Sequence, residues 1–255
     1  MIKSFVVTGA GTGIGRATAI ALSKVPDTKL ILVARTESNL KETLSLLDRP
    51  SEHLYFAMDI CDKSMWRKHL EAANAKSLNI SGVFANAGLG GENIYGDQDK
   101  WHKIIHVNLT GTYTTIQELL PYLKSSTETY RNIVMTSSCL ARFGVPGYTA
   151  YCTAKAGLLG LTKALALELA SDKILVNAIL PGWVETEMAK TSIQRLANLQ
   201  GVPYEQSFAE QMSYVPLNRI SQPSEIAALV KFLLTNEQTS ITGQGIDINN
   251  GSFMI

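Results

Sequence analysis

Tyr151 and Lys155 stand four residues apart inside Thr149–Ala170, whose apolar spacing predicts a helix, so both side chains project from one face. A phenol beside an ammonium is the raw material of proton transfer. Free tyrosine ionises near pH 10, too high for a base at neutrality. An ammonium at about 4 Å, at an effective dielectric near 20, attracts phenolate by roughly 4 kcal/mol. That lowers the phenol by about three pKa units as an upper limit, towards working pH. The expectation is therefore that Lys155 makes Tyr151 unusually acidic, and that Tyr151 gives a proton to a carbonyl oxygen or takes one from an alcohol. Ser138, thirteen residues before Tyr151, follows the β-rich run Asn132–Thr136 and offers a hydroxyl to a substrate oxygen on which charge develops. Ser137 is its competitor; the spacing to Tyr151 favours Ser138.

A second cluster lies at the other end of the chain. Thr8-Gly9-Ala10-Gly11-Thr12-Gly13-Ile14-Gly15 follows a first apolar strand and runs directly into a helical pattern. Glycines there let the backbone turn tightly and approach a pyrophosphate, whose charge a helix N-terminus stabilises. The position, between the first strand and the first helix, is the context a dinucleotide-binding motif requires.

Other chemistries find little support. Four histidines (53, 69, 102 and 106) include no HExxH; His102 and His106 read as helix-surface residues, and no metal is expected. Cys61, Cys139 and Cys152 form neither a CxxC nor an even set, so Cys139 reads as a buried structural thiol. Gly144-Val145-Pro146-Gly147 is a loop and not a G-x-S-x-G elbow, and Glu185 and Glu187 read as solvated. With 23 Lys and Arg against 22 Asp and Glu, no global field favours nucleic acid or an anionic membrane. No signal-peptide layout or membrane-length apolar stretch is visible, which leads to the expectation of a cytoplasmic protein.

These residues need a frame. Strands are expected at Ile2–Thr8, Leu30–Val33, Leu54–Met58, Val83–Ala85, Asn132–Thr136, Ile174–Leu180 and Gly245–Ile248. Between them fall helical patterns at Ile14–Lys24, Ser38–Leu47, Lys63–Ala75, Trp101–Lys124, Thr149–Ala170 and Ser224–Leu234. Such alternation predicts an α/β Rossmann fold: one domain over 1–255, doubly wound, with a mostly parallel seven-stranded sheet and helices on both faces. The stretch 187–216 breaks the rhythm and is expected to be an irregular substrate-binding lid.

Together these motifs resemble the short-chain dehydrogenase/reductase family over almost the whole chain. The T-G-x-x-x-G-x-G spacing is that family's variant of the glycine loop. Asp59-Ile60 stands where the family places the adenine, and Asn86-Ala87-Gly88 matches its N-A-G, with Ala85 replacing a preceding asparagine. Asn108, Ser138, Tyr151 and Lys155 match its catalytic set. The resemblance implies that Asn108 positions a water linking Lys155 to solvent and that Lys155 holds the nicotinamide ribose. It also implies that Pro181, Gly182, Val184 and Thr186 hold the nicotinamide carboxamide, and that Ile241-Thr242-Gly243-Gln244 and Asn250-Gly251 close the fold.

Ala34 stands where NAD-dependent members carry an aspartate, whereas Arg35 can grip a 2′-phosphate and Thr36 can add a hydrogen bond. NADP(H) is therefore favoured over NAD(H), although Glu37 is close by. The expected cofactor set is thus Gly9, Gly11, Thr12, Gly13, Ile14, Gly15, Arg35, Thr36, the residues at 59–60 and 86–88, Tyr151, Lys155 and the segment after residue 180. Leu89, Leu140, Val145, Tyr148, Trp183 and Met188 should line an apolar substrate pocket, suited to a ketone or 3-oxoacyl compound. Residues 181–188 and the closing Ile241-Thr242-Gly243 resemble 3-oxoacyl-acyl-carrier-protein reductases most, whereas residues 33–38 and Ala85-Asn86-Ala87-Gly88 look more like sepiapterin or benzil reductases; the resemblance to the family implies a homotetramer or homodimer. An NAD-dependent alcohol dehydrogenase of the same family and a non-catalytic dinucleotide sensor are the alternatives.

Overall fold

A computed structural model of the protein describes residues 2–254. Seven strands form one parallel sheet: β1 (Lys3–Thr8), β2 (Thr28–Ala34), β3 (Leu54–Ala57), β4 (Ile80–Ala85), β5 (Arg131–Thr136), β6 (Ile174–Pro181) and β7 (Gly245–Ile248), in the order β3-β2-β1-β4-β5-β6-β7. This is the expected doubly wound arrangement. β2 and β4 each start earlier than their apolar runs suggested, because Thr28, Lys29 and the Ile80–Gly82 segment complete ladders with β1.

Alternation along each strand divides the core. Val6, Ile31 and Val33 face one layer, which contains Trp66, Ile116 and Leu158. Their neighbours Phe5, Val7, Leu30 and Leu32 face the other, with Leu22, Leu40 and Val230. Helices α3 (Lys63–Ala72), α5 (Thr112–Lys124) and α6 (Thr149–Glu168) cover the first face; α1 (Gly13–Ser23), α2 (Glu37–Ser45) and α9 (Pro223–Leu234) cover the second. Sandwiched strands explain why the sequence reads as short apolar runs rather than polar–apolar alternation.

Three expectations need correction. The pattern at Trp101–Lys124 is not uniformly α-helical: α4 (Trp101–Ile105) passes through a π-helical turn at His106–Gly111 before α5. The segment 187–216 is not irregular: it folds as α7 (Glu187–Gln200) and α8 (Tyr204–Ser213). Ala189, Ile193 and Ala197, spaced by four, are the buried stripe of α7. The pattern at Lys63–Ala75 also ends early, where Asn74 turns left-handed (φ 47°) into a single 3-10 turn.

His102 and His106 are exposed and Cys139 is buried, as expected. Among the described residues, no helix is long and apolar enough to cross a membrane, and no group of three His, Cys, Asp or Glu side chains gathers as metal ligands.

Candidate active site

Strand order reverses between β2-β1 and β1-β4, and in open parallel sheets ligands bind beyond the strand ends at such a point. Here the loop after β1 and the loop after β4 are laced together. The Thr8 hydroxyl accepts the backbone N–H groups of Asn86 (2.9 Å) and Ala87 (3.0 Å), while the Asn86 amide donates to the Thr8 carbonyl at 3.1 Å. Asn86 Oδ1 accepts the Thr136 hydroxyl at 3.0 Å, which joins the end of β5 to the same knot.

The glycines of the first loop are demanded by space. Gly9 has φ +67°, and a Cβ on Gly15 would lie 2.1 Å from the Gly9 carbonyl oxygen. Arg16, which sequence reasoning missed, holds this loop from below. Its Nε and Nη2 donate to the Gly11 carbonyl at 3.0 and 2.6 Å, and a two-pronged pair with Glu42 (2.8 and 2.7 Å) fixes the guanidinium. A basic residue directly after the glycine motif was the available signal; its partners on α2 were not.

Helix α1 starts from Thr12 without a side-chain cap and has no acidic residue in its first turn. Its leading N–H groups thus retain their preference for an anion. Two cavities adjoin at this loop. One, about 600 Å³, runs from Gly9, Thr12, Gly13 and Ile14 past Asn86–Leu89 to the region around Tyr151. The other, about 270 Å³, shares Gly9, Thr12, Ala87 and Gly88 and continues to Arg35, Thr36, Asp59 and Ile60. A glycine cradle, an uncapped helix start and cavities on both sides fit a dinucleotide whose pyrophosphate spans the loop.

At its inner end the larger cavity meets Ser138, Tyr151 and Lys155. The two serines, both at the cavity, differ in their partners. Ser137 donates its hydroxyl to the Lys155 carbonyl at 2.8 Å, whereas the Ser138 hydroxyl accepts Leu140 N–H at 3.1 Å and stands near enough to the Tyr151 phenol to oppose its upward shift. Lys155 is 4% exposed; its ammonium donates to the Thr136 carbonyl at 2.7 Å and lies over the Tyr151 ring, 5.5 Å from its centre.

The expected acidification of Tyr151 is not found. Burial pushes its phenol up to about 12, with the Ser138 hydroxyl opposing and Cys139, Cys152 and Tyr148 adding to the rise. Burial likewise brings Lys155 down to about 8. The expectation assumed an ammonium held against the phenol oxygen; instead Lys155 is hydrogen-bonded to β5, and desolvation of both groups prevails.

Asn108 lies in the π-helical turn, fully buried. Its Oδ1 accepts Leu89 N–H at 2.7 Å and its Nδ2 donates to the Leu89 carbonyl at 2.8 Å, so both ends of the amide clamp the loop after β4. A Cβ on Gly88 would lie 2.7 Å from Asn108 Oδ1, which keeps this loop close to the helix and to Lys155.

Pro181, Gly182, Val184 and Thr186 all reach the larger cavity, and the Thr186 hydroxyl caps α7 by accepting Ala189 N–H at 3.3 Å. Leu89, Leu140, Val145, Tyr148, Trp183 and Met188 line it as expected. Phe143, Leu196, Gln211, Tyr214 and Val215 were not foreseen. Helix α7 is drawn onto the β4 loop: Met188 sits where a Cβ on Gly90 would be, and Arg195 forms a two-pronged ion pair with Glu92.

Residues 3–197 match the family model described as short chain dehydrogenase. A 3-oxoacyl-acyl-carrier-protein reductase of Thermotoga maritima is 31% identical over 254 residues, spanning 98% of this chain and 97% of that protein. One from Vibrio harveyi is 32% identical over 257 residues, 99% and 98% of the two chains. Among solved structures, an actinorhodin polyketide ketoreductase with NADPH superimposes with a TM-score of 0.91 at 30% identity, covering 98% of this chain and 97% of that one. Carveol dehydrogenase from Mycobacterium avium in complex with NAD does so with a TM-score of 0.87 at 27% identity, covering 98% and 97%.

Proposed function

The chain belongs to the short-chain dehydrogenase family and is an oxidoreductase acting on CH–OH or C=O groups, from which we propose that it is an NADPH-dependent carbonyl reductase with Tyr151 as the proton donor. The observation that carries this reading is the convergence of Ser138, Tyr151 and Lys155 on the cavity that begins at the glycine loop. A nicotinamide held by the glycine loop and by Pro181, Gly182, Val184 and Thr186 would supply hydride to the carbonyl carbon. The chain's own residues handle the oxygen. The Ser138 hydroxyl and the Tyr151 phenol are the donors placed to bind it, and as negative charge grows there Tyr151 releases its proton to it. With its phenol pushed up to about 12, Tyr151 stays protonated at neutral pH, the form that reduction needs. Lys155, when protonated, lies where its charge offsets the phenolate left behind. Asn108 and Ser137 position rather than react: one fixes the β4 loop, the other the carbonyl of residue 155.

The NADP preference rests on the smaller cavity. Arg35 is exposed at its edge, and no hydrogen bond or ion pair of its guanidinium is found among the described residues. Glu37, the nearby opposing charge, is engaged with Lys41 (2.9 Å) and Tyr55 (2.9 Å). That leaves Arg35 available to a 2′-phosphate, with Thr36 and Asn39 beside it. In this reading residues 1–255 act as one domain, α7 and α8 form the lid over the substrate, and a cytoplasmic protein assembles as a homotetramer or homodimer through α5, α6 and the outer edge of β7.

The test is loss of NADPH absorbance against ketones, diketones and acyl thioesters, repeated with Tyr151→Phe. Turnover that falls at least a hundredfold in the variant, with nucleotide affinity kept, is the expected result. Tight NADPH binding with no turnover of any carbonyl would favour a dinucleotide sensor instead.

A further inference from the structure

We propose that Glu92 and Asn93 form a two-residue bridge from the lid helix α7 to the helix that carries Tyr151, so that the Glu92–Arg195 ion pair positions the proton donor. This deepens the reductase reading above, on which the role of Tyr151 rests.

The lid end of the bridge is ionic. The Glu92 carboxylate accepts from both terminal nitrogens of Arg195, in the second half of α7, and such a two-pronged pair fixes direction as well as distance. The two side chains are only 21% and 34% exposed, so salt screens them less than a surface pair. Ser192 and Leu196, on either side of Arg195 in sequence, line the large cavity, so whatever holds Arg195 holds that wall.

The other end is made of hydrogen bonds. Asn93 donates its backbone N–H to the Gly147 carbonyl at 2.7 Å and its side-chain amide to the Thr149 hydroxyl at 3.2 Å. Thr149 is the first residue of α6, and Tyr151 stands in the same turn. The Asn93 side chain is buried and committed at both ends, since its Oδ1 accepts Lys100 N–H at 2.9 Å. Glu92 itself rests against Gly147, where a Cβ would come within 3.3 Å of its Cγ and Cδ. The Gly147 backbone, at φ +80°, is of the kind that glycine adopts freely, and the absent side chain permits this approach.

From Gly147 the path to the phenol is short. Tyr148 N–H donates to the Val145 carbonyl at 3.1 Å and Cys152 N–H donates to the Tyr148 carbonyl at 2.8 Å. The Tyr148 ring meets the Tyr151 ring edge-on, with centroids 6.4 Å apart. Lid, bridge and proton donor are thus one contiguous set of contacts. A reacting group misplaced by about 1 Å can cost about a hundredfold in rate, so a strut that sets Tyr151 matters without touching the substrate.

Amide hydrogen exchange on the full chain, free of nucleotide, reads the bridge without any turnover. Arg195→Met is expected to speed exchange at least about fivefold in two places, along α7 and at residues 152–154 in the first turn of α6, while β1 and β4 keep their rates. Asn93→Ala should speed the start of α6 and leave α7 within about twofold. Reversing the pair, Glu92→Arg with Arg195→Glu, should return both segments most of the way to the original rates. Should Arg195→Met speed exchange everywhere, the isosteric Glu92→Gln takes its place with the same readout. Acceleration confined to α7, or none at all, would overturn the proposal. With a carbonyl that the protein reduces, Arg195→Met and Asn93→Ala should each lower kcat at least about tenfold and leave NADPH affinity within about threefold; an unchanged kcat would remove the positioning role. The exchange pattern in a protein that reduces no carbonyl would leave the bridge standing and remove the reductase reading instead.

Discussion

The Lys155 ammonium lies over the Tyr151 ring, 5.5 Å from its centre, while donating to the Thr136 carbonyl at the end of β5. The lysine is therefore aimed by the sheet rather than by the tyrosine, and the proton chemistry of the pair follows from burial.

With Tyr151 at about 12 and Lys155 at about 8, the first group to change charge on raising the pH is the lysine. Reduction requires the protonated phenol and benefits from the ammonium, so its rate should be flat at neutral pH and decline above about 8. Alcohol oxidation requires phenolate and should rise with pH. Lys155→Arg, which keeps its charge, should be slower overall but lose the alkaline decline. A decline that persists unchanged in this variant would assign the titration elsewhere.

The same shift reads out in stability. Lys155 binds its proton more weakly in the folded protein, so between about 8 and its ordinary value near 10.5 the unfolded chain holds more protons and stability rises with pH. Relative to Lys155→Met, the nucleotide-free protein should gain up to about 3 kcal/mol across that window in denaturant titrations. Tyr151, shifted upward, acts oppositely above pH 10.

Arg35 is the expected discriminator between cofactors. Arg35→Ala should weaken NADPH binding by about tenfold to a hundredfold, the worth of a charge-assisted hydrogen bond, and leave NADH binding within twofold. Fluorescence titration with both nucleotides measures it, and equal losses for the two would refute the 2′-phosphate contact.

Gly15 offers a test without any charge. A Cβ there would sit 2.1 Å from the Gly9 carbonyl, backbone against side chain with nothing flexible to yield. Gly15→Ala should cost about 1–3 kcal/mol or more in stability and reduce nucleotide affinity at least tenfold, since the loop itself must move. Gly144, with open space around its Cβ position and an ordinary φ, is the control: Gly144→Ala should be neutral or stabilising.

Asn108 should act at a distance. Asn108→Ala removes both hydrogen bonds to Leu89 and leaves two half-buried backbone groups unpaired, a cost of about 1–3 kcal/mol. Because the loop it clamps also carries Gly88 and Gly90, turnover should fall together with nucleotide affinity. Asn108→Asp, which keeps the acceptor, should recover part of both.

Much of the frame was legible because each strand is buried on both faces and so appears as a compact apolar run bounded by turn residues. The four-residue interval of Tyr151 and Lys155, and the glycine loop between strand and helix, were equally plain. What escaped depended on contacts between distant segments. The sign of the Tyr151 shift is set by how much protein surrounds the phenol, which no local spacing encodes. Arg16 finds Glu42 and Thr43 only after α2 has folded beside α1. Phe143 and Tyr214 come together across the cavity from segments seventy residues apart. The stripe at Ala189, Ile193 and Ala197 was present all along, but two alanines among polar neighbours make a faint helical signal.

The π-helical turn at His106–Gly111 leaves the chain one residue richer there than a regular α-helix would need. A wide turn of this kind absorbs that residue locally, so the helix on either side keeps its phase; the loss of one residue from the regular winding of α5 would instead swing everything before it by about 100° about the helix axis. Ile104 would rotate out of the interior and Asn108 would lose sight of Leu89. The odd turn thus takes up slack without turning the rod, letting it present an apolar stripe to the sheet and an amide to the Leu89 loop at once, whereas a deletion in the regular winding would cost both.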